Sequence, residues 1–448
     1  MTVFPQVPRR HLGLADATAI YAGIILGSGI FVAPAMIAGA VPSIPAAFGL
    51  WICGAAVAAC GASCYAECAA RVPSNGGFFV FNREAYGPAV AFVGGWAAIF
   101  VTYPASIAAI AIVFAEYLAK VTGVAGWERT TAASALALAA ILNVAGLRTG
   151  PRAQIVLTST KIAALGALVV AALFSPLRGS SAAAVTASPV GPTTAAAWLS
   201  ALMIMLFAYD GWSDVTLVAG EVRDPGRNIG RAVLLGTLVL AMLYGTTQVA
   251  VMTALPGGAA AGSAQPVADA VEATLGSAAG RAVSVLVVVS TFGSILGTVF
   301  TVSRLGFAMA QAGAFLRSVA TLHPRWGTPA RATATLAAAS VVYVWLASFR
   351  SIVALFTFSV WIFYGITAVA LLKLRRRGVG DPVAWRAPLG WAPPVVVLLV
   401  GAGMTVQLIA DDPMRALGGA ALLAAAFPAY AFLGRRDRGI LPSHRGTR

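Results

Sequence analysis

Gly27-Ser28-Gly29-Ile30-Phe31 lies inside one long apolar stretch, and about 180 residues later Phe207-Ala208-Tyr209-Asp210-Gly211-Trp212 lies inside another. A bilayer crossing takes roughly 20 mostly apolar residues, and both stretches are long enough. Each carries glycines or an ionisable residue where the bilayer would be deepest. Irregular backbone survives at that depth only where protein or a water-filled cavity satisfies its N–H and C=O groups. Two such breaks at corresponding positions of two halves point to a substrate site of a secondary transporter.

The rest of the chain agrees with a membrane setting. Of its 448 residues 59% are hydrophobic and 10% charged, with a mean hydropathy of +0.85, where a soluble domain carries about 25% charge. Apolar runs between charged punctuation give twelve candidate spans, near residues 14–40, 43–70, 86–118, 131–147, 153–175, 194–220, 231–255, 281–307, 332–348, 351–374, 390–410 and 415–434. Several exceed 25 residues, which implies tilt, a break or extension beyond the lipid. The first run passes into the second within a few residues, so it is read as part of the mature fold rather than as a cleaved signal peptide.

The formal net charge of +15 follows topology rather than a nucleic-acid partner. With twelve spans and a cytoplasmic N-terminus, Lys120, Arg129, Arg178, Arg281, Arg350 and Arg415 fall on the outer side and Lys161 and Arg304 within spans. That leaves 22 of the 30 basic residues on cytoplasmic segments, among them Arg9, Arg10, Arg71, Arg83, Arg148, Arg152, Arg375, Arg376, Arg377, Arg435 and Arg436. The asymmetry is the positive-inside pattern, and it predicts a multi-pass protein of the cytoplasmic membrane with both termini inside. No basic face with stacking aromatics is visible, so no nucleic acid is expected.

Cys53, Cys60, Cys64 and Cys68 all lie on the second span, the last three at i, i+4 and i+8. No His or Cys elsewhere would complete a metal shell; they are read as small residues packing a helix interface, and neither a metal nor a cofactor is expected. His11, His323 and His444 fall outside the predicted membrane core, which argues against a buried histidine proton relay.

Residues 1–448 read as one membrane domain with short termini and a solvated basic tail from Arg435 to Arg448. The Ser-, Ala-, Thr- and Pro-rich stretch from Gly179 to Thr194 reads as a flexible outer loop. One break falls in span one and the other in span six, so the repeat is five helices long. Five is odd, so the second copy enters the membrane from the opposite face. The predicted fold is an all-α integral membrane protein of 12 transmembrane helices: an inverted five-plus-five repeat with broken helices one and six, plus two extra C-terminal helices. The first repeat covers about 14–175, the second about 194–374, and helices 11 and 12 about 390–434. No strong residue-level identity links the halves; the repeat rests on the breaks and the helix count.

Glycines at 23, 27 and 29 make unwinding cheap and let a ligand approach the backbone. At such a break the outer half-helix offers free N–H groups, here from about Ser28, Gly29 and Ile30, which suit a carboxylate. The inner half-helix ends in free carbonyls, about Ile24, Ile25 and Gly27, which suit an ammonium. A ligand matching both is a zwitterion, an α-amino acid; the plainer reading is a packing or kink motif. In span six, Asp210 is an ionisable group at a depth where charge is costly. It either accepts from the substrate ammonium or caps the broken helix. Phe207 is either a gate closing over the substrate or a core aromatic, and Asp214 either a second polar contact or part of the next turn. Ala208 and Asp210 complete the candidate substrate site.

Lys161 lies in the middle of an apolar run without a carboxylate in its own helix. Carbonyls freed at the span-one break near Gly23, with hydroxyls of Thr291 or Ser294 from span eight, would satisfy its ammonium. It is then a fixed cation in the place of a coupling sodium, or a titrating lysine that couples proton movement; otherwise it snorkels toward the interface near Arg152. Glu221, Arg223, Asp224, Arg227 and Arg231 cluster after span six, either as an inner gate with Glu67, Arg71 or Arg152 or as solvated loop charges.

Five stretches in order carry a resemblance: Gly27 to Phe31; Tyr65-Ala66-Glu67 with Gly76-Gly77 and Arg83 to Pro88; Asn143 to Lys161; FAYDGWSDVTLVAGEVRDPGRNIGRA from Phe207; and STFGSILGTVFTVSRLGFAMAQAG from Ser290. The chain resembles the amino acid-polyamine-organocation superfamily from span one to about span ten, most closely the L-type amino acid transporter branch and its bacterial relatives. The resemblance implies the leucine-transporter-like inverted repeat with alternating access around the two breaks. It implies that Ile25, Ser28, Gly29 and Ile30 hold the substrate's amino and carboxyl groups, that Phe207 is the gating aromatic, and that Lys161 stands in for sodium. Asp210 replaces a glycine of animal members, which implies a more polar or smaller pocket. Animal light chains pair through a cysteine in the loop after helix three; the loop from Ala119 to Thr130 has none, so no disulfide-linked heavy chain is expected.

The sequence thus predicts a sodium-independent amino acid transporter that exchanges neutral amino acids, with proton-coupled symport, or exchange of cationic amino acids or polyamines, as alternatives. Cationic substrates would want more pocket carboxylates than Asp210 and Asp214. A membrane enzyme would need a convergent nucleophile, base and orienting acid, and no histidine lies in the membrane to serve. A non-transporting amino acid sensor would keep the same breaks. Side-chain selectivity falls to spans three, six, eight and ten, at residues such as Ser106, Ser290 and Trp361.

Overall fold

The computed structural model describes residues 13–41, 43–73, 76–146, 151–174, 194–216, 222–255, 258–311 and 313–434, and helices joined by turns and short loops account for them. Numbered by the spans expected from the sequence, span one is two helices, α1 (Leu14–Ile25) and α2 (Gly29–Ala40), bent by 50° at the break. Span two is α3 (Ile44–Arg71); the Ser43 hydroxyl accepts from the Ala46 N–H and Pro45 sits in its first turn, where no N–H is needed. After α4 (Phe78–Tyr86), span three runs through α5 (Pro88–Ala97), a π turn at Ala98–Thr102, and α6 (Tyr103–Thr122). Spans four and five are α7 (Glu128–Val144) and α8 (Pro151–Phe174).

The second half opens with α9 (Ala195–Ala208), capped by the Thr194 hydroxyl on the Ala197 N–H at 3.2 Å. Span seven is α10 (Pro225–Ala254), followed by the short α11 (Ala259–Gly262) and α12 (Pro266–Leu275). Spans eight, nine and ten are α13 (Ser277–Gln311), α14 (Ala330–Leu346) and α15 (Phe349–Arg376). The C-terminal helices are α16 (Ala392–Asp411), α17 (Pro413–Ala424) and α18 (Ala426–Gly434).

By length and composition α3, the α5–α6 unit, α10, α13, α15 and α16 can each cross a membrane, and the bent α1–α2 pair makes a seventh. Four further apolar helices are shorter, within Thr158–Ala172, Ala197–Ala208, Ala330–Leu346 and Ala416–Phe432. Span six and the last span are not single helices either. In span six the α-helix stops at Ala208, at the break expected from the sequence, and the chain continues as turns to residue 213 and a 3-10 turn to residue 216. The last span is interrupted after Ala424, because Pro428 has no N–H to return to the Ala424 carbonyl.

Packing follows the small residues. Gly54 and Gly61, two turns apart on α3, receive the side chains of Met205 and Trp212; a Cβ on Gly61 would lie 2.6 Å from the indole. Cys64 and Cys68 are buried on the same helix. Small residues let helices approach within dispersion contact where lipid supplies no hydrophobic drive. Among the helix pairs that pack across the two halves are α2 on α9, α3 on α10, α6 on α13 and α7 on α14. The π turn in span three has a local cause, since Pro104 cannot donate to the carbonyl a turn earlier. The Tyr343 hydroxyl donates to Phe100 O instead, at 3.0 Å.

Candidate functional site

The first break is short. Leu26 N–H closes α1 on Ala22 O at 2.8 Å, Gly27 N–H turns back to Ile25 O at 2.6 Å, and α2 resumes at Gly29 with Ser28 as its N-cap. The first N–H groups of a helix have no partner within it, and in α2 they belong to Gly29 and Ile30. The second break turns on Gly211, whose φ of +104° is open to glycine and strained for other residues. The two breaks touch. A Cβ on Gly29 would lie 2.5 Å from Ala208 Cα, and one on Gly211 would lie 2.7 Å from Ile24 Cγ2. The residue before one break meets the residue after the other, in both directions. Ile25, Ser28, Gly29, Ile30, Phe207 and Ala208 are thereby gathered in buried positions, with Gly23 buried near the end of α1 and Asp210 half-buried.

The carbonyl end of α1 is already partnered. Lys161 Nζ donates to Leu26 O at 2.8 Å and the side chain is 1% exposed, so it does not snorkel. A buried ammonium without an acceptor is costly, and the unwound carbonyl supplies one. Thr291 and Ser294 do not complete its shell: their hydroxyls donate to Val287 O at 2.7 Å and Ser290 O at 3.1 Å on α13 itself. A hydroxyl in a helix always has that carbonyl within reach one turn back. Of the carbonyls expected to be free, Ile25 O instead accepts from the Tyr244 hydroxyl at 2.9 Å. Tyr244 is the site residue that sequence reasoning missed. A tyrosine on an apolar span must place its hydroxyl somewhere, yet nothing in the spacing names the carbonyl.

Beyond the second break, Asp210, Ser213 and Asp214 line a cavity together with Tyr65, Tyr103 and Tyr364. Asp210 Oδ1 accepts from the Tyr364 hydroxyl at 2.5 Å, and Asp214 Oδ1 from Tyr103 at 2.7 Å and Ser213 at 3.2 Å. Trp212 is buried between Tyr364, at 4.0 Å between centroids, and Tyr65 at 5.1 Å. The Phe207 ring meets Phe356 edge-on at 5.4 Å and Phe349 at 6.2 Å, bridging span six to span ten. Trp361 is buried against Tyr364, and the Ser290 hydroxyl is buried without a hydrogen bond among the described residues. No group of three or more His, Cys, Asp or Glu among the described residues is placed to hold a metal.

At the far end of α3, Glu67 is fully buried. It accepts from Arg71 Nε at 3.0 Å, from Arg375 Nε at 2.9 Å and from the Ala387 N–H at 2.8 Å. Arg71 also donates to Val379 O at 2.9 Å and Asp381 at 3.1 Å. Of the two readings of the charges after span six, an inner gate with Glu67 or solvated loop charges, Glu67 does not support the first: it forms a clasp with Arg71, span ten and the loop that follows it. Arg9, Arg10, His11, Arg148, Arg178, Glu221, His444, the 179–193 segment and the tail from Arg435 lie outside the described residues.

The sequence matches the amino acid permease family over residues 12–416. It is 29% identical over 451 aligned positions to the Asc-type amino acid transporter 1 of Mus musculus, covering 95% of this chain and 81% of that one. It is 28% identical over 416 positions to the b(0,+)-type amino acid transporter 1 of Homo sapiens, covering 90% and 84%. Against the large neutral amino acids transporter small subunit 2 of Mus musculus the figures are 28% over 439 positions, with 95% and 81% covered. With a match that runs from the start of α1 into α17, on a multi-pass helical framework, the chain belongs to the amino acid permease family, whose members are transporters and not enzymes.

Proposed function

We propose that the protein carries neutral amino acids across the cytoplasmic membrane by sodium-independent exchange, alternating access around the two touching breaks. The observation that carries this reading is the Lys161 ammonium on Leu26 O at 2.8 Å. A fixed positive charge on the unwound carbonyls fills the place a coupling cation would need. The N–H groups of Ser28, Gly29 and Ile30 then suit the substrate carboxylate, while the second lone pair of Leu26 O and the Asp210 carboxylate suit its ammonium. The printed names of the relatives support amino acids as the substrate class.

The architecture we propose is a single domain of twelve spans, with repeats of about 14–175 and 194–374, helices 11 and 12 over about 390–434, and both termini in the cytoplasm. The reciprocal contact of Gly29 with Ala208 and Gly211 with Ile24 supports an inverted repeat, as does the packing of spans one to four each on the span five places later. Phe207, edge-on to Phe356, suits a gate. The absence of cysteine from Ala119 to Thr130 supports function without a disulfide-linked heavy chain.

The test is flux of radiolabelled amino acids into proteoliposomes of the purified protein. Counterflow against internal unlabelled substrate should persist when choline replaces sodium, and Lys161→Ala should cut it at least roughly tenfold, the scale of losing one buried charge-assisted contact. Loss of flux on sodium removal would sink the reading. Proton-coupled symport is the second reading, favoured by the burial of Lys161 on a carbonyl rather than a carboxylate. It requires uptake driven by a pH gradient alone.

A further inference from the structure

We propose that span seven splints the broken first span, with Tyr244 and Gln248 as positioning residues that set the geometry of the substrate-binding backbone; the substrate half of this proposal rests on the transport reading above. A break removes the i to i−4 bonds that would fix one half-helix relative to the other, so the 50° relation of α1 to α2 must be held from outside. Helix α10 contacts both halves through polar groups at 237, 244 and 248. Spacings of seven and four put these on one helical face.

Thr237 pairs with the Tyr21 hydroxyl in α1 at 2.6 Å, Tyr244 donates to Ile25 O at the end of α1 at 2.9 Å, and the Gln248 amide donates to Pro34 O in α2 at 3.1 Å. Tyr244 and Gln248 are both fully buried. The Gln248 carbonyl is in turn occupied by Trp51 Nε1 at 3.1 Å, which leaves the amide one orientation. Trp51 packs on Tyr244 at 5.2 Å between centroids and on Tyr209 at 5.5 Å. Tyr209 opens the second break and donates to Trp51 O at 3.1 Å. The splint therefore reaches span one through hydrogen bonds and the start of the span-six break through rings. Two adjacent carbonyls, Ile25 O and Leu26 O, are held by different spans, seven and five.

The experiment compares reconstituted wild type with Tyr244→Phe, Gln248→Leu and Tyr86→Phe. The last removes an interhelical hydroxyl–carbonyl bond of the same kind, Tyr86 to Ile366 O at 2.8 Å, away from span one. Hydrogen–deuterium exchange should speed up over residues 24–34 in the first two variants and stay at the wild-type rate there in the third. Amino acid KM should rise about tenfold in the first two, the scale of one lost buried hydrogen bond, with kcat changed less. Wild-type exchange over 24–34 in both Tyr244→Phe and Gln248→Leu overturns the splint. A wild-type protein that moves no amino acid overturns the transport reading instead, and the exchange measurement still decides the splint. Should Tyr244→Phe fail to fold, Gln248→Leu carries the same test.

Discussion

One missing methyl group lets the two breaks meet. At Gly29 any Cβ would fall 2.5 Å from the Ala208 backbone, and backbone cannot rotate away as a side-chain tip can. Gly29→Ala should therefore lower stability by about 1–3 kcal/mol, the range for overpacking a tight interior, and pull the half-helices out of register. Melting in detergent at the wild-type temperature would show that Ala208 has room to move. At this scale the sequence revealed a good deal. Glycines and a lone lysine in apolar runs are conspicuous, and the idea that freed carbonyls receive Lys161 needs only the cost of a buried ammonium. Which carbonyl receives it was legible only to within a residue, because Leu26 closes the last turn of α1 instead of continuing it. The idle-looking hydroxyls of Thr291 and Ser294 were not legible at all, since each has a carbonyl of its own helix in reach.

Helices show the same division between what pattern dictates and what contacts decide. Apolar length located the long spans, and Ser43, Thr194 and Ser348 mark helix starts as capping residues should. The end of α9 at Ala208 falls where Asp210 and Gly211 mark the span-six break in the sequence, whereas the interruption after Ala424 escapes a hydropathy reading, which counts apolar residues and not hydrogen-bond donors. The groove on α3 is likewise a property of pairs of elements. Gly61→Ala should cost about 1–3 kcal/mol by driving a methyl into Trp212, and Trp212→Phe in the same chain should recover part of it. Additive losses in the double variant would mean that the two side chains do not share that space. The π turn offers a quieter test. Tyr343→Phe leaves Phe100 O without its donor and should cost about 1 kcal/mol in thermal unfolding; no change would mean that another group takes over the carbonyl.

Across the whole molecule, the two breaks are framed by a clasp at one end of α3 that ties separate parts of the chain together. Glu67 on α3 holds Arg71 and Arg375 and the Ala387 N–H. The loop from 377 to 391 seats Trp385 over Gly230 and Ala384 beside Gly226, both on α10. Spans two and ten and the loop that packs on span seven thus converge on one buried carboxylate, so changes there propagate further than their area suggests. Removing one member of a buried ion cluster leaves the others charged and uncompensated, typically at a cost of about 3–5 kcal/mol. Glu67→Gln should approach that loss, tempered by the bond Arg71 keeps to Asp381. Arg386 meets the same Asp381 at 3.5 Å, but its side chain is 68% exposed, and pairs of that kind contribute about 0–1 kcal/mol. Arg386→Ala should therefore leave the melting temperature nearly unchanged while Glu67→Gln lowers it sharply. Raised salt should not reproduce the Glu67→Gln effect, because a buried cluster is screened far less than a surface pair. Similar small shifts from both substitutions would remove the clasp as a structural hub and leave the breaks to be held by α10 and Lys161 alone.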